Sequence, residues 1–423
     1  MSAVADKTCA TWFGQPRGLT ILFLTQMWEL FSYYGMRTLL VYYMTKQLLF
    51  AQDKASFIYG TYTAMAYFTP ILGGAIADRW LGKRNAVVLG GSIMAIGHFV
   101  MAFEPMFYLA LATIALGNGL FLPSLPSQIN DLYAADDPRR GRAYNVYYVG
   151  LNVGGLLAPL VCGTLGELYG WHYGFGAAGV GMFLGLVIYL AGRRYLPPEP
   201  QRRAPPVATP QDARRGHRRV WWLLLGVGIA ATIFRGTYEQ IGNTLPLWID
   251  TGVDRTWGGF TIPMTWFQSL NPLLVISMTP LLLMAWRRRA AVGRETSPAI
   301  RMAIGALVVA AAYVLLAAVT ALAGDARVDW MWLVAFFVIL TLGELYILPT
   351  GLGLFAKLAP PRLGATTIAS WFLAIFSGSL LAGVVGTLWS KASHPAFFLL
   401  LAGLAVIAAA LLWRLDRPIR TLP

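Results

Sequence analysis

Charge is what this chain has least of: Asp, Glu, Lys and Arg together make up 12% of its 423 residues. A soluble globular domain carries about 25%, so a water-exposed surface over most of the chain is excluded. Histidine and cysteine are scarce as well, at 4 and 2 residues. His98, His172, His217 and His394 are scattered, and no Cys or carboxylate cluster has metal-ligand spacing. A Gly-rich phosphate loop is also missing. These absences leave no basis for an enzyme, a metal or an organic cofactor. Cys9 falls in the N-terminal tail and Cys162 inside an apolar segment, so no disulfide is expected between them. Residues 1–18 hold Asp6, Lys7 and Arg17 and no apolar core with a cleavage site, so no removable signal peptide is expected.

What fills the chain instead is apolar: 57% of residues are hydrophobic. Stretches near twenty residues with almost no charge recur, each long enough to cross a hydrocarbon core of about 30 Å as a helix. Twelve are expected, at 19–45, 55–77, 86–103, 106–132, 143–166, 173–193, 220–248, 258–286, 300–323, 330–356, 364–390 and 394–414. The runs are continuous and rich in Gly, Ala and Leu, without the period-two alternation of a membrane barrel, so the fold class is all-α and membrane-spanning.

A net charge of +14 invites a nucleic-acid reading, but its distribution excludes one. Of 33 Lys and Arg, 26 lie in the N-terminal tail, in alternate loops or in the C-terminal tail, five (Lys46, Lys54, Arg255, Arg327, Lys391) lie on the opposite side, and Arg37 and Arg235 lie inside helices. The positive-inside rule then puts both termini in the cytoplasm, as in a multi-pass protein of a bacterial inner membrane. Residues 197–219, rich in Pro, Ala and Arg, form a solvated linker between a six-helix bundle at 1–196 and another at 220–423. An even split of this kind is the layout of the major facilitator fold, with the substrate site at midplane between the halves. The loop after the second span, GGAIADRWLGKRN, resembles the loop motif of that superfamily. Asp78, Arg79, Lys83 and Arg84 are its candidate gating residues; the plainer alternative is a positive-inside loop.

Several segments narrow the resemblance. QMWELFSYYGMRTLLVYYM in the first span, GGAIADRWLGKR, DPRRGRAYNVYYVGLNVGGLLAPLVCGTLG, YEQIGNTLPLW, IPMTWFQSLNP and GELYILPTGLGLFAKLAP are similar to segments of the proton-dependent oligopeptide transporter family, in the same order and at the same helix numbers. Bacterial members usually carry two extra helices between the halves, for which the linker here is too short. The resemblance implies a monomeric secondary transporter that takes up small peptides with protons as the coupling ion and no cofactor. In the family a Glu-x-x-Glu-Arg motif in helix 1 and a Lys before a Pro in helix 4 couple proton movement to binding of the peptide carboxylate. This chain has Gln26, Glu29 and Leu30 in the first and Leu122 for the second, so one acid remains of two acids and two cations. Asn152, Asn271 and Glu344 match the residues that hold a peptide's ammonium group.

An ionisable group at bilayer depth costs at least about 2.5–3.5 kcal/mol on insertion scales, which makes each one a functional candidate. Five qualify: Glu29 and Arg37 in helix 1, Arg235 and Glu239 in helix 7, and Glu344 in helix 10. Arg235 and Glu239 are four residues apart and share a helix face, where they neutralise each other or both face a cavity. The candidate substrate-binding set is Tyr33, Tyr34, Arg37, Asn152, Arg235, Trp266, Asn271 and Glu344; the candidates for proton coupling are Glu29, Glu239 and Glu344. Arg37 and Arg235 are the candidate cations to replace the missing carboxylate clamp, Arg235 the stronger, since it stands where the family usually has an aromatic residue and its guanidinium suits bidentate binding. Asn152 and Asn271 also suit plain interhelical hydrogen bonding, and the aromatics plain packing. The function expected is uptake of di- or tripeptides, or of an amine-bearing relative. The alternatives are proton antiport that exports a cationic or peptide-like compound, and a non-transporting receptor on the same scaffold.

Overall fold

A computed structural model describes residues 11–12, 14–133, 137, 139–198, 217–293, 296–358 and 364–420. Most of the expected linker, 197–219, and the tail with Cys9 lie outside those residues. Among these described residues twelve long helices follow one another: α1 Arg17–Lys46, α2 Gln52–Ile76, α3 Lys83–Val100, α4 Phe107–Ser127, α5 Arg140–Ala158, α6 Trp171–Gly192, α7 His217–Tyr238, α8 Leu270–Ala291, α9 Pro298–Ala323, α10 Met331–Leu358, α11 Gly364–Gly386 and α12 His394–Arg420. Among the described residues nine of them, α4–α12, are long and apolar enough by themselves to cross a membrane. The first three carry more polar residues, Gln26, Glu29 and Arg37 among them. Helices are the expected answer in lipid, where each backbone N–H and C=O must find its partner within the chain.

Contacts divide the molecule into two compact units, residues 1–43 with 65–204 and residues 44–64 with 205–423, so α2 is shared between them. In the first unit α3 packs on α4 and α6, around Leu22, Met94, Phe121, Leu125, Met182 and Tyr189. Here α5 meets α1 where Gly154 faces the Met27 carbonyl so closely that any Cβ at 154 would collide with it; a small residue is the condition for that approach. The free thiol of Cys162 is buried between α1 and α6.

In the second unit α9 packs on α12 and α10, and α7 on α11 and α12. The α9 start is capped by Ser297, whose Oγ accepts from the Ile300 N–H at 3.3 Å, with Pro298 in the first helical position. Within this unit the start of α2 is held on α11. Gln52 Nε2 donates to the Gly386 carbonyl at 3.0 Å, and the Ser390 N–H donates to Gln52 Oε1 at 3.2 Å. Gly60 lies against Gly383 with no room for a Cβ. Lys46 closes the same end with an ion pair to Asp250 at 2.8 Å.

One expected span is corrected and another carries a break. The eighth does not begin at 258: Gly258 and Gly259 take positive φ angles of 56° and 85° and close a hairpin of Thr256–Trp257 on Phe260–Thr261. After it come a 3-10 turn, Met264–Ser269, and α8. The seventh, expected at 220–248, is a span over Val220–Gly252 whose helix is not uniform. It breaks after Tyr238 into a 3-10 turn, Glu239–Ile241, and resumes as a short helix, Thr244–Gly252, because Asn243 leaves helical geometry at φ −103°, ψ −82°. A 3-10 stretch inside a long helix often marks a functional hinge.

The glycine contact yields a direct test. Gly60→Ala puts a methyl group against the Gly383 backbone and is expected to cost about 1–3 kcal/mol, read as a lower melting temperature of the purified protein. Gly176→Ala, where a Cβ meets nothing within 4 Å, is expected to leave it unchanged.

Candidate functional site

The second unit gathers four of the sequence candidates into one cluster. Arg235 and Glu239, one turn apart on α7 and at its break, form a buried ion pair through Arg235 Nη2 and Glu239 Oε1. Glu239 is 0% exposed, and its other oxygen accepts from the Tyr59 hydroxyl on α2 at 3.1 Å. The Arg235 guanidinium also lies over the Tyr238 ring, 5.4 Å from its centroid. Gly378 on α11 makes room for it, since a Cβ there would collide with the Arg235 side chain. The cation is therefore held by Glu239 and the Tyr238 ring, with its stem seated on Gly378.

The Tyr238 hydroxyl donates to Asn271 Oδ1 at 3.4 Å. On its other side Asn271 Nδ2 donates to Glu344 Oε2 on α10 at 2.6 Å and to Thr341 Oγ1 at 3.1 Å. Side chains from α2, α7, α8 and α10 thus form one line from Glu239 to Glu344. Both ends are acids and one cation sits near the middle. Glu344, at 9% exposed, keeps more access than Glu239. Trp266, half-buried in the turn before α8, packs against Phe260 with ring centroids 6.0 Å apart.

In the first unit Glu29 is 1% exposed. Its carboxylate accepts from Gln26 Nε2, and Gln26 Oε1 accepts from the Tyr147 hydroxyl on α5. Two turns along α1, Arg37 is buried over the Tyr34 ring, 5.5 Å from its centroid, and Tyr33 meets Tyr34 edge-on at 5.5 Å. Asn152 is half-buried and donates to the Tyr148 carbonyl of its own helix at 2.9 Å. Leu122 sits half-buried on α4. The candidates therefore fall into two groups: Asn271 and Glu344 touch directly and join Arg235 and Glu239 through Tyr238, whereas Glu29, Tyr33, Tyr34, Arg37 and Asn152 belong to the other unit.

The loop motif divides in two. Asp78 and Arg79 are exposed in a π-helical turn, Ala77–Leu81, that ends at Gly82 with φ 78°. Beyond it, Lys83 pairs with Asp131 at 2.8 Å. Arg84 donates to the Leu196 carbonyl at 2.7 Å and to the Pro197 carbonyl. The basic half thus ties the start of α3 to the ends of α4 and α6. Nearby, Arg139 holds the Asp137 carboxyl below its ordinary value through direct hydrogen bonds.

Tyr59, Tyr147, Tyr238 and Thr341 were not among the sequence candidates. Tyr238 had a local signal, since it adjoins Glu239 in YEQ; the other three join the clusters only through tertiary contact. Among the described residues no group of three or more His, Cys, Asp or Glu is placed to hold a metal ion.

Comparison with known proteins follows the same lines. The sequence model of the POT family matches residues 84–211 and 211–400. An uncharacterized transporter of Bacillus subtilis is 31% identical over 96% of this chain and 95% of its own. A di-/tripeptide transporter of Lactococcus lactis subsp. cremoris is 29% identical over 98% of each chain. Among solved structures, a POT family transporter in complex with 5-aminolevulinic acid superposes with a TM-score of 0.89 at 25% identity, over 97% of this chain and 98% of that one. The fold is the major facilitator arrangement of twelve transmembrane helices.

Arg235→Ala leaves the Glu239 charge buried without its cation and is expected to cost about 3–5 kcal/mol, read as a large fall in melting temperature. The double variant Arg235→Leu/Glu239→Leu removes both charges and is expected to recover most of that loss.

Proposed function

Because the chain belongs to the POT family of transporters, we propose that it imports di- and tripeptides, or an amine-bearing relative of them, by proton-coupled alternating access. It is a transporter and not an enzyme. The observation that carries the substrate reading is the Glu344 carboxylate held by Asn271 at 2.6 Å on a site polar enough for an ammonium group. In a low-dielectric setting a charge-assisted bond from an ammonium to that carboxylate is about twice as strong as a neutral one. Asn271 orients the acid, and an ammonium guest would share it with Asn271 and Tyr238. Tyr33, Tyr34, Arg37, Asn152 and Trp266 are the further substrate-lining residues of this reading.

Arg235 takes the substrate carboxylate. Its planar guanidinium suits bidentate binding, but Glu239 already occupies it. A proton on Glu239 neutralises that partner and frees the guanidinium, so proton loading and carboxylate binding favour each other. Tyr59 and the break in α7 support this, because a hydroxyl donor and a local 3-10 turn can follow the change without unmaking a regular helix. Glu29 and Glu344 are the other acids available for the coupling proton. Asp78, Arg79, Lys83 and Arg84 form a loop whose ties are made and broken as the helices rock. The reading places a monomer in a bacterial inner membrane with both termini in the cytoplasm, organised as bundles 1–196 and 220–423 joined by 197–219.

The test is uptake of radiolabelled dialanine into proteoliposomes with an imposed pH gradient, acidic outside. Accumulation that collapses with a protonophore supports the reading; gradient-independent flux overturns the coupling. Arg235→Ala is expected to abolish uptake of the free acid, and dialanine amide is expected to compete less well than dialanine against the unsubstituted protein. Glu344→Gln is expected to lower kcat/KM by about 10- to 100-fold through loss of a hydrogen bond to a charged group. Unchanged uptake by either variant removes that residue from the site.

A further inference from the structure

Glu29 is matched by no cation on its own helix closer than Arg37, two turns away; what reaches it is an amide. Gln26 Nε2 donates to the Glu29 carboxylate, and the carbonyl end of the same amide accepts from the Tyr147 hydroxyl. All three side chains are buried. An amide has a donor end and an acceptor end, and a phenol both donates and accepts, whereas an ionised carboxylate only accepts. With Tyr147 donating to the oxygen of Gln26, the nitrogen has one place to point, which is Glu29. We propose that Tyr147 is the positioning residue for Glu29 during proton transfer, acting through Gln26, so that a neutral two-residue relay does the work of a matching cation.

The same parts suit the protonated acid. A protonated Glu29 donates to the Gln26 oxygen once the amide turns over, and the freed amide N–H then donates to the Tyr147 oxygen. The relay therefore offers the Glu29 carboxyl a hydrogen-bond partner in each protonation state, which no fixed cation does. Of the other titratable groups on the elements packed nearby, two tyrosines have partners of their own. On α5, Tyr144 donates to Asn130 at 2.8 Å. On α6, Tyr189 donates to Gln128 of α4 at 2.9 Å. On α3, His98 is buried. The α6 backbone meets α1 at Gly181, which packs on Phe31, and at Gly185, which packs on Trp28. Neither glycine brings a charge to Glu29.

The inference rests on the proposal that Glu29 takes part in proton coupling, and its test is chosen to read Glu29 directly. Infrared difference spectra of the full-length protein in lipid are recorded between acidic and alkaline pH, and the Glu29 carboxyl band is assigned as the band lost in Glu29→Gln. In Tyr147→Phe and in Gln26→Leu that band is expected to shift in frequency. In Tyr189→Phe, which removes another buried hydroxyl from the same core, it is expected to stay in place. Dialanine uptake by Tyr147→Phe is expected to fall about tenfold in kcat, the worth of one hydrogen bond, with KM little changed and the acidic limb of its pH profile displaced. If Tyr147→Phe does not reach the membrane, Gln26→Leu carries the same comparison. A Glu29 band and pH profile identical to the unsubstituted protein in Tyr147→Phe overturn the proposal, as does a Glu29 band that fails to titrate. Absence of uptake by the unsubstituted protein overturns the peptide-import reading instead, and the infrared comparison still decides the relay.

Discussion

An ion placed among apolar helices has to be matched where it stands, and that requirement organises this molecule. The five charged candidates inside the helices each meet it. Arg235 and Glu239 neutralise each other, Glu344 accepts from Asn271, Glu29 accepts from Gln26, and Arg37 lies over the Tyr34 ring. Placing an unmatched charge at bilayer depth costs at least about 2.5–3.5 kcal/mol, so none of these arrangements is incidental. A buried pair is weak evidence for stability, because well-packed apolar residues often do as well. Its presence in a transporter points to work that needs the charge.

The matching depends on how closely the helices approach. Where α7 lies on α11, Gly378 leaves the space that the stem of Arg235 fills; where α2 lies on α11, Gly60 and Gly383 bring the backbones together and carry Tyr59 to Glu239. Where α5 lies on α1, Gly154 does the same for Tyr147 and Gln26. Between apolar helices in lipid there is little hydrophobic force, and close packing with a few hydrogen bonds holds them together. The glycines are thus part of the electrostatics: each sets the distance at which a polar side chain finds its partner.

The departures at Gln26, Leu30 and Leu122 take on a physical meaning in this light. By the resemblance, Gln26, Leu30 and Leu122 stand where the family carries one acid and two cations, while Arg235 stands on α7 paired with Glu239. The first unit keeps its one acid in a neutral amide setting; the second carries a charged pair and a line of hydrogen bonds to Glu344.

Twelve spans, their helical nature and the candidate ions were legible in the sequence, because bilayer thickness sets span length and the cost of charge makes each buried ion stand out against an apolar background. Helical periodicity was enough to pair Arg235 with Glu239, one turn apart. The break after Tyr238 and the hairpin at Gly258 and Gly259 were not legible, since backbone geometry at Asn243 and the glycine φ angles answer to neighbours distant in sequence. Tyr59, Tyr147 and Thr341 were missed for the same reason: an aromatic or hydroxyl residue in an apolar span has no local mark that separates packing from a hydrogen bond to an ion. Composition and spacing by themselves determined which groups would need partners; only the tertiary approach of one helix to another decided which partners they received, because a hydrogen bond is fixed by distances of tenths of an ångström that no one helix contains.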